Sequence, residues 1–487
     1  MRSLVLGLAL SSISLSGVRA GFPAKIYGVN LGSWLVLEPW MLPQEWIDMG
    51  GERCDDCSTC IASEFTFAQA YPDTVDDKFN EHWLSPASNF NPLGTYFAIF
   101  RNTWFNQDDV DKFVELGLNT VRIPLGYWIV EDLVDRTTEF YPRGGLAQLR
   151  RGLKQLSEAG IVAILDHHAL PGIQEPGQQF TGRCTSDVQF YTPHNYHRAL
   201  VWTAVMTALS HIDPAFDNVV SIEAVNEPIM DANQTPGYGD FQKNFVRVVR
   251  AVEFLLGLPV PSLNLKANGQ ANANATASLE FAAQLPPVFP PEIRSAILDA
   301  VPILLRIGVK LGVDKIFSHG PHVKKEPLIT NFMDINWQHN NPLTLPTLRW
   351  DHRYMTTIST IRQSFGGVAD PSETAYLTHN CNLDRIQNDA ALGNSPLYFG
   401  EWALPTQFPA TDEFLRKWAD AQKRAYSMGA GWIFWNFKIE ISDLAGDTAR
   451  QWSYFEGVNR GYLTKDPSKL LDPHVCDPYL KNTTASA

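Results

Sequence analysis

The sequence predicts an α/β protein, namely a (β/α)8 TIM barrel with long loop insertions. Short apolar runs rich in Val and Ile alternate with amphipathic stretches, as expected for parallel strands that are joined by helices. Two of these runs end in a glutamate, Glu227 in the stretch 219–228 and Glu401 in the stretch 396–402. The carboxyl ends of barrel strands meet at one face, where catalytic residues lie. The two glutamates therefore predict paired-carboxylate chemistry at that face.

Composition and charge limit the class of protein. The chain has 487 residues, of which 45% are hydrophobic and 19% are charged, and this suits a globular protein with a large core. Its formal net charge of −13 argues against nucleic acid or an anionic membrane as a partner. A neutral polysaccharide is compatible with this charge, and we expect a monomer.

The two ends of the chain and its composition shifts predict the domain organisation. Residues 1–20 have an early Arg, an apolar centre and small residues before Ala20, which is the pattern of a secretory signal peptide. Residues 21–487 are predicted to form one catalytic domain, with insertions near 51–103 and 258–291. No later apolar run is long enough to span a bilayer.

Six cysteines favour disulfides in a secreted chain, although the sequence leaves their pairing open. Cys54, Cys57 and Cys60 have a spacing that metal clusters also use, but no nearby histidine completes such a cluster. Three Asn-X-Thr sequons permit N-glycosylation, at Asn233, Asn274 and Asn482.

The strands and helices are assigned from their periodicity. Strands are predicted at residues 26–31, 120–124, 161–166, 219–228, 328–333, within 348–370, and at 396–402 and 431–437. Helices are predicted at residues 108–116, 146–159, 195–209, 238–256, 292–312 and 412–428. Asn195 is the expected N-cap of the third of these helices, and Pro228 is expected to hold Glu227 extended. Arg122 lies inside an apolar strand, so it requires a carboxylate partner.

Six stretches resemble family five of the glycoside hydrolases, and within it the fungal exo-β-1,3-glucanases. They are GVNLGSWLVLEPW (28–40), NTVRIPLGYW (119–128), ILDHHALPG (164–172), AVNEP (224–228), YFGEW (398–402) and GWIFWNFK (431–438). From the first to the last, these stretches span most of the mature chain, and their order and spacing suit the barrel.

The resemblance implies roles for individual residues. Glu227 matches the general acid/base and Glu401 matches the nucleophile. Asn226 matches the residue that bonds the sugar 2-hydroxyl, and Arg122 matches the arginine that lies under the nucleophile and keeps it ionised.

Three further residues match the sugar-binding positions of the family. His168 matches a strand-three histidine of the site floor, although the usual Asp-Leu-His-Gly motif reads Asp166-His167-His168-Ala169 here. Trp435 matches the platform under the reacting sugar. Glu38 matches the carboxylate that grips the terminal glucose in exo-acting relatives.

The resemblance implies a secreted or cell-wall retaining glycosidase that cleaves β-1,3-glucan, exo-acting and releasing glucose, without metal or organic cofactor. A β-1,6-specific or endo-acting glucanase is an alternative. A second alternative is a catalytically impaired protein that binds carbohydrate or remodels the wall.

The sixth strand departs from the family pattern. His352 and Tyr354 match the expected His-x-Tyr formally, but the following heptapeptide 355–361, MTTISTI, is polar and lacks aromatic residues. We hypothesise a local frameshift or splice error within residues 345–363. If the segment is correct as it stands, Glu401 loses part of its hydrogen-bonding shell, at a cost of roughly 10²-fold in rate.

Other polar and aromatic residues have less specific interpretations. Four tryptophans are candidates for aromatic platforms on which a sugar ring could stack, namely Trp34, Trp40, Trp83 and Trp402. His82 and His167 are expected to be structural, and Asp166 is either a partner of a site residue or a simple cap.

Overall fold

The computed structural model describes residues 21–83, 104–258, 274–315, 326–332, 354–359, 370–391 and 396–481. For residues 354–359 and 389–391 it describes the course of the backbone only. The predicted signal peptide lies outside this range, so its presence stays a prediction, and so does the division into one domain with two insertions.

Eight parallel strands form a closed barrel in which each strand pairs with the next in the chain and β8 pairs with β1. The strands are β1 Ile26–Asn30, β2 Thr120–Gly126, β3 Val162–Ala169, β4 Val219–Glu223, β5 Ile329–Phe332, β6 Tyr354–Ser359, β7 Leu397–Glu401 and β8 Gly431–Phe434. The predicted (β/α)8 fold is confirmed.

The described segments contain helices between most of the strands and after the last one. They are α1 Pro43–Met49, α2 Glu64–Ala70, α3 Val75–Trp83, α4 Gln107–Glu115, α5 Gly145–Glu158, α6 Pro193–Ile212, α7 Tyr238–Leu255, α8 Ala275–Glu280, α9 Pro291–Lys310, α10 Glu373–Cys381, α11 Arg385–Ala391, α12 Asp412–Tyr426, α13 Ala449–Trp452 and α14 Tyr454–Asn459. Of these, no helix in the described segments combines the length and the apolarity that crossing a bilayer requires.

The N-terminus of α6 differs from the prediction. Its cap is Thr192, whose hydroxyl accepts a hydrogen bond from the backbone N–H of Asn195. Pro193 takes the first helical position, where a missing N–H costs nothing. Asn195 therefore lies inside the helix rather than at its cap.

A layer of apolar side chains closes the barrel below the site. Ile26, Ile164, Ile329 and Tyr398 come from the odd-numbered strands and pack with Ile433 of β8. Side chains of alternate strands fill barrel interiors in such layers. Because a strand repeats every two residues, the next inward positions on these strands lie above the layer, towards the carboxyl ends. On β3 and β5 these positions are Asp166 and Asn331, which are polar and belong to the site.

The segment between β1 and β2 is held by disulfides, so the interpretation of the cysteine cluster as a disulfide framework is correct. Cys54 pairs with Cys60, and Cys57 pairs with Cys184 in the loop after β3. Cys381 pairs with Cys476, which fastens the C-terminal segment to α10.

The backbone of β6 follows the polar segment that departs from the family pattern. It pairs with β5 and β7, and Ser359 is the register partner of Glu401. His352 lies outside the described residues, as does the side chain of Tyr354. Their roles at the site and the hypothesised frameshift stay predictions.

Candidate active site

A single arginine lies at the centre of a buried polar cluster at the carboxyl end of the barrel. Nε and Nη2 of Arg122 donate to the two carboxylate oxygens of Glu223, each at 2.9 Å. Nη1 donates to Oε1 of Glu401 at 2.6 Å, and Nη2 lies 3.0 Å from Oδ2 of Asp166. Arg122 therefore has the carboxylate partner that the sequence requires, and it contacts Glu401 as the resemblance implies.

Asparagine side chains complete the hydrogen bonding of this cluster. Nη1 of Arg122 also donates to Oδ1 of Asn30 at 3.0 Å, and Nη2 donates to Oδ1 of Asn226 at 2.9 Å. Nδ2 of Asn331 donates to Oε2 of Glu223 at 2.8 Å. The five N–H groups of a guanidinium are thereby all used, which fixes the orientation of Arg122.

The charges of the cluster do not balance. One guanidinium faces three buried carboxyls, so burial raises the pKa of Asp166 and that of Glu223 to about 7 each, against the opposing charge of Arg122. Burial also raises the pKa of Glu401, and the nearby charge of Glu227 adds to this, while Arg122 lowers it. Arg122 acts on Glu401 in the expected direction, but burial outweighs it. The cluster therefore holds protons that exposed carboxyls would release.

Glu227 does not have the extended conformation that the sequence suggested. The strand β4 ends at Glu223, and Glu227 lies in the turn that follows, with φ +37°. A non-glycine residue in this region is strained by about 1–3 kcal/mol and is held by its surroundings. The charge of Glu227 raises the pKa of both Glu38 and Glu401. Its carboxyl therefore belongs electrostatically to the same cluster.

A second group of residues forms a wall beside the arginine cluster. Nδ1 of His168 lies 2.6 Å from Oδ2 of Asp166, and burial lowers the pKa of His168 to about 3. Its Nε2 lies 3.9 Å from Oε1 of Glu38. Both of these atoms are buried and have no hydrogen-bond partner among the described residues. The ring of Trp435 is stacked parallel to that of His168, with centroids 5.6 Å apart. This arrangement offers hydroxyl-binding atoms beside a flat aromatic surface.

The structure decides between the two interpretations of Asp166, which contacts Arg122 and His168 and is no simple cap. His82 and His167 are structural, as expected. His82 bonds Glu45 and the carbonyl of Ser33, and His167 stacks on Trp202 at 3.9 Å.

Three of the four suggested sugar platforms are wrong. Trp34, Trp83 and Trp402 are almost wholly buried, where their rings pack on other core side chains. Trp40 is half-buried and its Nε1 donates to Oε2 of Glu38 at 2.9 Å. It alone of the four lies at the edge of the site.

Sequence reasoning missed three polar residues of the cluster. Glu223, Asn30 and Asn331 each lie on an inward position of a strand. Glu223 has the clearest signal, since a carboxylate in the apolar run VVSIEAV must find a buried partner. Asn30 and Asn331 carry no comparable signal, because asparagine at the end of a strand is common in turns.

An open groove of about 430 Å³ lies between the loops after β3 and β4. The loop after β3 contributes Pro176, Asp187, Tyr191 and Thr192 to its lining, and the loop after β4 contributes Ile229 and Gln234. Ile229 follows closely after Glu227, so the groove adjoins the turn of the first glutamate.

Comparison with known proteins finds similar glycosidases. A family model described as cellulase (glycosyl hydrolase family 5) matches residues 80–280. The chain is 27% identical to a glucan endo-1,6-beta-glucosidase B of Emericella nidulans over 96% of this chain and 93% of that protein. A glucan 1,3-beta-glucosidase of Blumeria graminis is 32% identical over 42% of this chain and 41% of that protein.

The crystal structure of a rutinosidase from Aspergillus niger is similar in fold. It has a TM-score of 0.54, with 15% identity, over 90% of this chain and 97% of that chain. The fold and these matches define the class of protein, a glycosidase that acts on O-glycosyl bonds. Over residues 80–280 the chain is similar to family 5 of the glycoside hydrolases.

Proposed function

We propose that the protein is a retaining β-glucanase in which Glu401 is the nucleophile and Glu227 is the general acid/base. The observation that carries this proposal is the contact of Arg122 with Glu401, at 2.6 Å, within electrostatic reach of Glu227. A guanidinium stabilises the anionic form of the carboxyl that must attack the sugar. Glu227 lies in the turn after β4 and its charge acts on Glu401, so it is the group proposed to protonate the leaving oxygen.

The reaction follows the two-step course of retaining glycosidases. Glu401 attacks the anomeric carbon while Glu227 donates its proton to the leaving glycosidic oxygen. Formation of the covalent ester removes the negative charge of Glu401, so the pKa of Glu227 falls and it can take a proton from water. Attack by that water releases the sugar with its configuration retained.

The wall of His168, Glu38 and Trp435 is proposed to bind the sugar whose bond is cleaved. Neutral His168 donates through Nδ1 to Asp166, so its Nε2 accepts a hydrogen bond. Burial raises the pKa of Glu38 to about 8, so its carboxyl can donate. One sugar hydroxyl between these two groups would donate to the first and accept from the second, while the ring lies on Trp435.

We infer that the substrate is β-1,6-glucan and that cleavage is internal. The relatives matched over more than nine-tenths of both chains are named for endo-1,6 activity, whereas those named for 1,3 activity match about half of the chain or less. The groove beside Glu227 could hold chain on the leaving-group side. The sequence motifs favoured exo-acting β-1,3 cleavage, with β-1,6 or endo-acting cleavage as the alternative, and the proposal reverses that order. Secretion to the cell wall fits this substrate and the predicted signal peptide.

Exo-acting hydrolysis of β-1,3-glucan is the second candidate, and Glu38 favours it. This carboxyl lies in the wall beside His168, at the position that grips the terminal glucose in the exo-acting relatives.

Hydrolysis of β-1,6-glucan and of laminarin, with analysis of product sizes, tests the proposal. Wild type should release a mixture of β-1,6-linked oligosaccharides. Glu227→Gln and Glu401→Gln should each lose activity by more than about 10³-fold, as expected for groups that take part in the chemistry. Glu413→Gln, which changes an exposed carboxylate on α12, is the control and should retain full activity.

Other outcomes of that assay decide against the proposal. Release of glucose alone from laminarin would establish the exo-β-1,3 alternative. Binding of either glucan by the wild type without release of sugar would identify a catalytically impaired protein.

A further inference from the structure

The turn that carries Glu227 is bracketed by hydrogen bonds from the loop after β3. Gln174, which is completely buried, donates through Nε2 to the carbonyl of Asn226 at 2.9 Å. On the other side, the backbone N–H of Ile229 donates to the hydroxyl of Tyr191 at 2.8 Å. Glu227 thus lies between two residues of the turn that are both held by one neighbouring loop.

The two bracketing residues are themselves joined. The hydroxyl of Tyr191 donates to the backbone carbonyl of Gln174 at 2.9 Å. Nε2 of Gln174 also donates to the carbonyl of His168 at 2.7 Å, and its Oε1 accepts from the N–H of Leu170 at 3.2 Å. Burial raises the pKa of Tyr191, so its hydroxyl stays neutral and can donate and accept at once. We call Gln174 and Tyr191 the loop clamp.

The rest of the loop keeps this clamp in place. The Cys57–Cys184 disulfide attaches it to the segment after β1. The backbone of Gln189 donates to the carbonyl of Gly172 at 2.7 Å, which closes the loop on itself.

The clamp has a physical task, because Glu227 has a positive φ. A glutamate does not adopt φ +37° without fixed neighbours, and an unclamped turn would relax towards ordinary backbone conformations. Such relaxation would move the carboxyl away from the leaving oxygen, and proton transfer requires hydrogen-bond distance.

We propose that Gln174 and Tyr191 are positioning residues that hold Glu227 in the geometry for proton transfer to the leaving group. This inference rests on the proposed role of Glu227. It predicts a loss of rate that grows with the need of the leaving group for a proton, because Glu401 and its contact with Arg122 are unchanged.

The proposal is tested with aryl β-glycosides of a glucose disaccharide that has the linkage the wild type cleaves. Their leaving groups range from phenol to 2,4-dinitrophenol. Tyr191→Phe keeps the ring but removes both hydrogen bonds. Its kcat/KM on the phenyl glycoside should fall roughly tenfold, a part of the 10²–10⁴-fold that general acid catalysis supplies. On the dinitrophenyl glycoside it should change less than about twofold, because that leaving group departs without a proton.

Two further variants keep the test decisive. Gln174→Met has similar length but cannot donate to Asn226, and it should show the same dependence on the leaving group. Tyr196→Phe is the matched control. It removes a tyrosine hydroxyl that donates to the carbonyl of Pro236, which lies further along the loop that carries Glu227. It should follow the wild type on every leaving group.

The outcomes separate the clamp from the proposed function. Equal losses on all leaving groups in Tyr191→Phe and Gln174→Met, or no loss, would overturn the clamp while leaving the glycosidase intact. A wild type that cleaves neither glucan nor the dinitrophenyl glycosides would overturn the proposed function, and the clamp with it.

Discussion

At the scale of single residues, the site is a problem of charge. Arg122 is buried with three carboxyls, and a lone guanidinium cannot neutralise them all. The arrangement is stable because five directed hydrogen bonds satisfy the arginine and because burial raises the pKa of Asp166 and of Glu223, so that these two carboxyls can retain protons. The same arrangement leaves Glu401 sensitive to Arg122, which lowers its pKa.

Replacement of Arg122 by lysine should expose this sensitivity. Lysine keeps the charge but cannot bond Glu223 in a bidentate manner and reach Glu401 at the same time. Arg122 lowers the pKa of Glu401, so a weaker contact lets that pKa rise. The nucleophile must be anionic, and therefore the acid limb of the pH–rate profile should move to higher pH. kcat/KM at its optimum should fall roughly 10²-fold.

Arg150→Lys is the control for this measurement. Arg150 also binds both oxygens of a carboxylate, that of Asp213, but on α5 outside the barrel. Its replacement should leave the pH profile in place. An acid limb that does not move in Arg122→Lys would contradict the assigned role.

The sequence identified the charged residues of the site better than their uncharged partners. Arg122 and the two strand-end glutamates stand out because charges in apolar runs require an explanation. Glu223 carried the same signal and was overlooked beside Glu227. The partner role of Gln174 could not be foreseen, since nothing in a loop rich in Gly and Pro indicates which side chain turns inward.

At the scale of elements, strands were easier to predict than the turns that follow them. Apolar runs identify the strands because both faces of a parallel barrel strand are buried. The end of β4 was placed too late, because the apolar residues Ala224 and Val225 continue the pattern after the ladder has stopped. The prediction of an extended Glu227 failed for this reason.

The disulfide that joins the loops after β1 and β3 should contribute to the stability of the fold. Replacement of both Cys57 and Cys184 by serine opens a link across 127 residues, and the chain-entropy relation gives a loss of about 5 kcal/mol in the free energy of unfolding. Replacement of Cys54 and Cys60, only 6 residues apart, should cost about 2 kcal/mol. Denaturant unfolding measures both, and an equal or reversed order would contradict this account.

At the scale of the whole molecule, closure of the barrel is what brings the site together. Glu227 follows the fourth strand and Glu401 ends the seventh, and only a closed sheet directs both towards one cluster. The alternation of strands and helices was sufficient to predict this closure. It could not predict the linkage that is cleaved, since linkage depends on the loops at the rim, where the sequence departs most from a regular pattern.

The identity of the nucleophile tests the central claim most directly. A 2-deoxy-2-fluoro-β-glucosyl fluoride should inactivate the wild-type enzyme by trapping the covalent intermediate, because the fluorine slows its hydrolysis. Peptide mapping by mass spectrometry should then find the label on Glu401. A label on Glu227 or on any other residue, or rapid glucan hydrolysis with inversion and no trapped ester, would contradict the account.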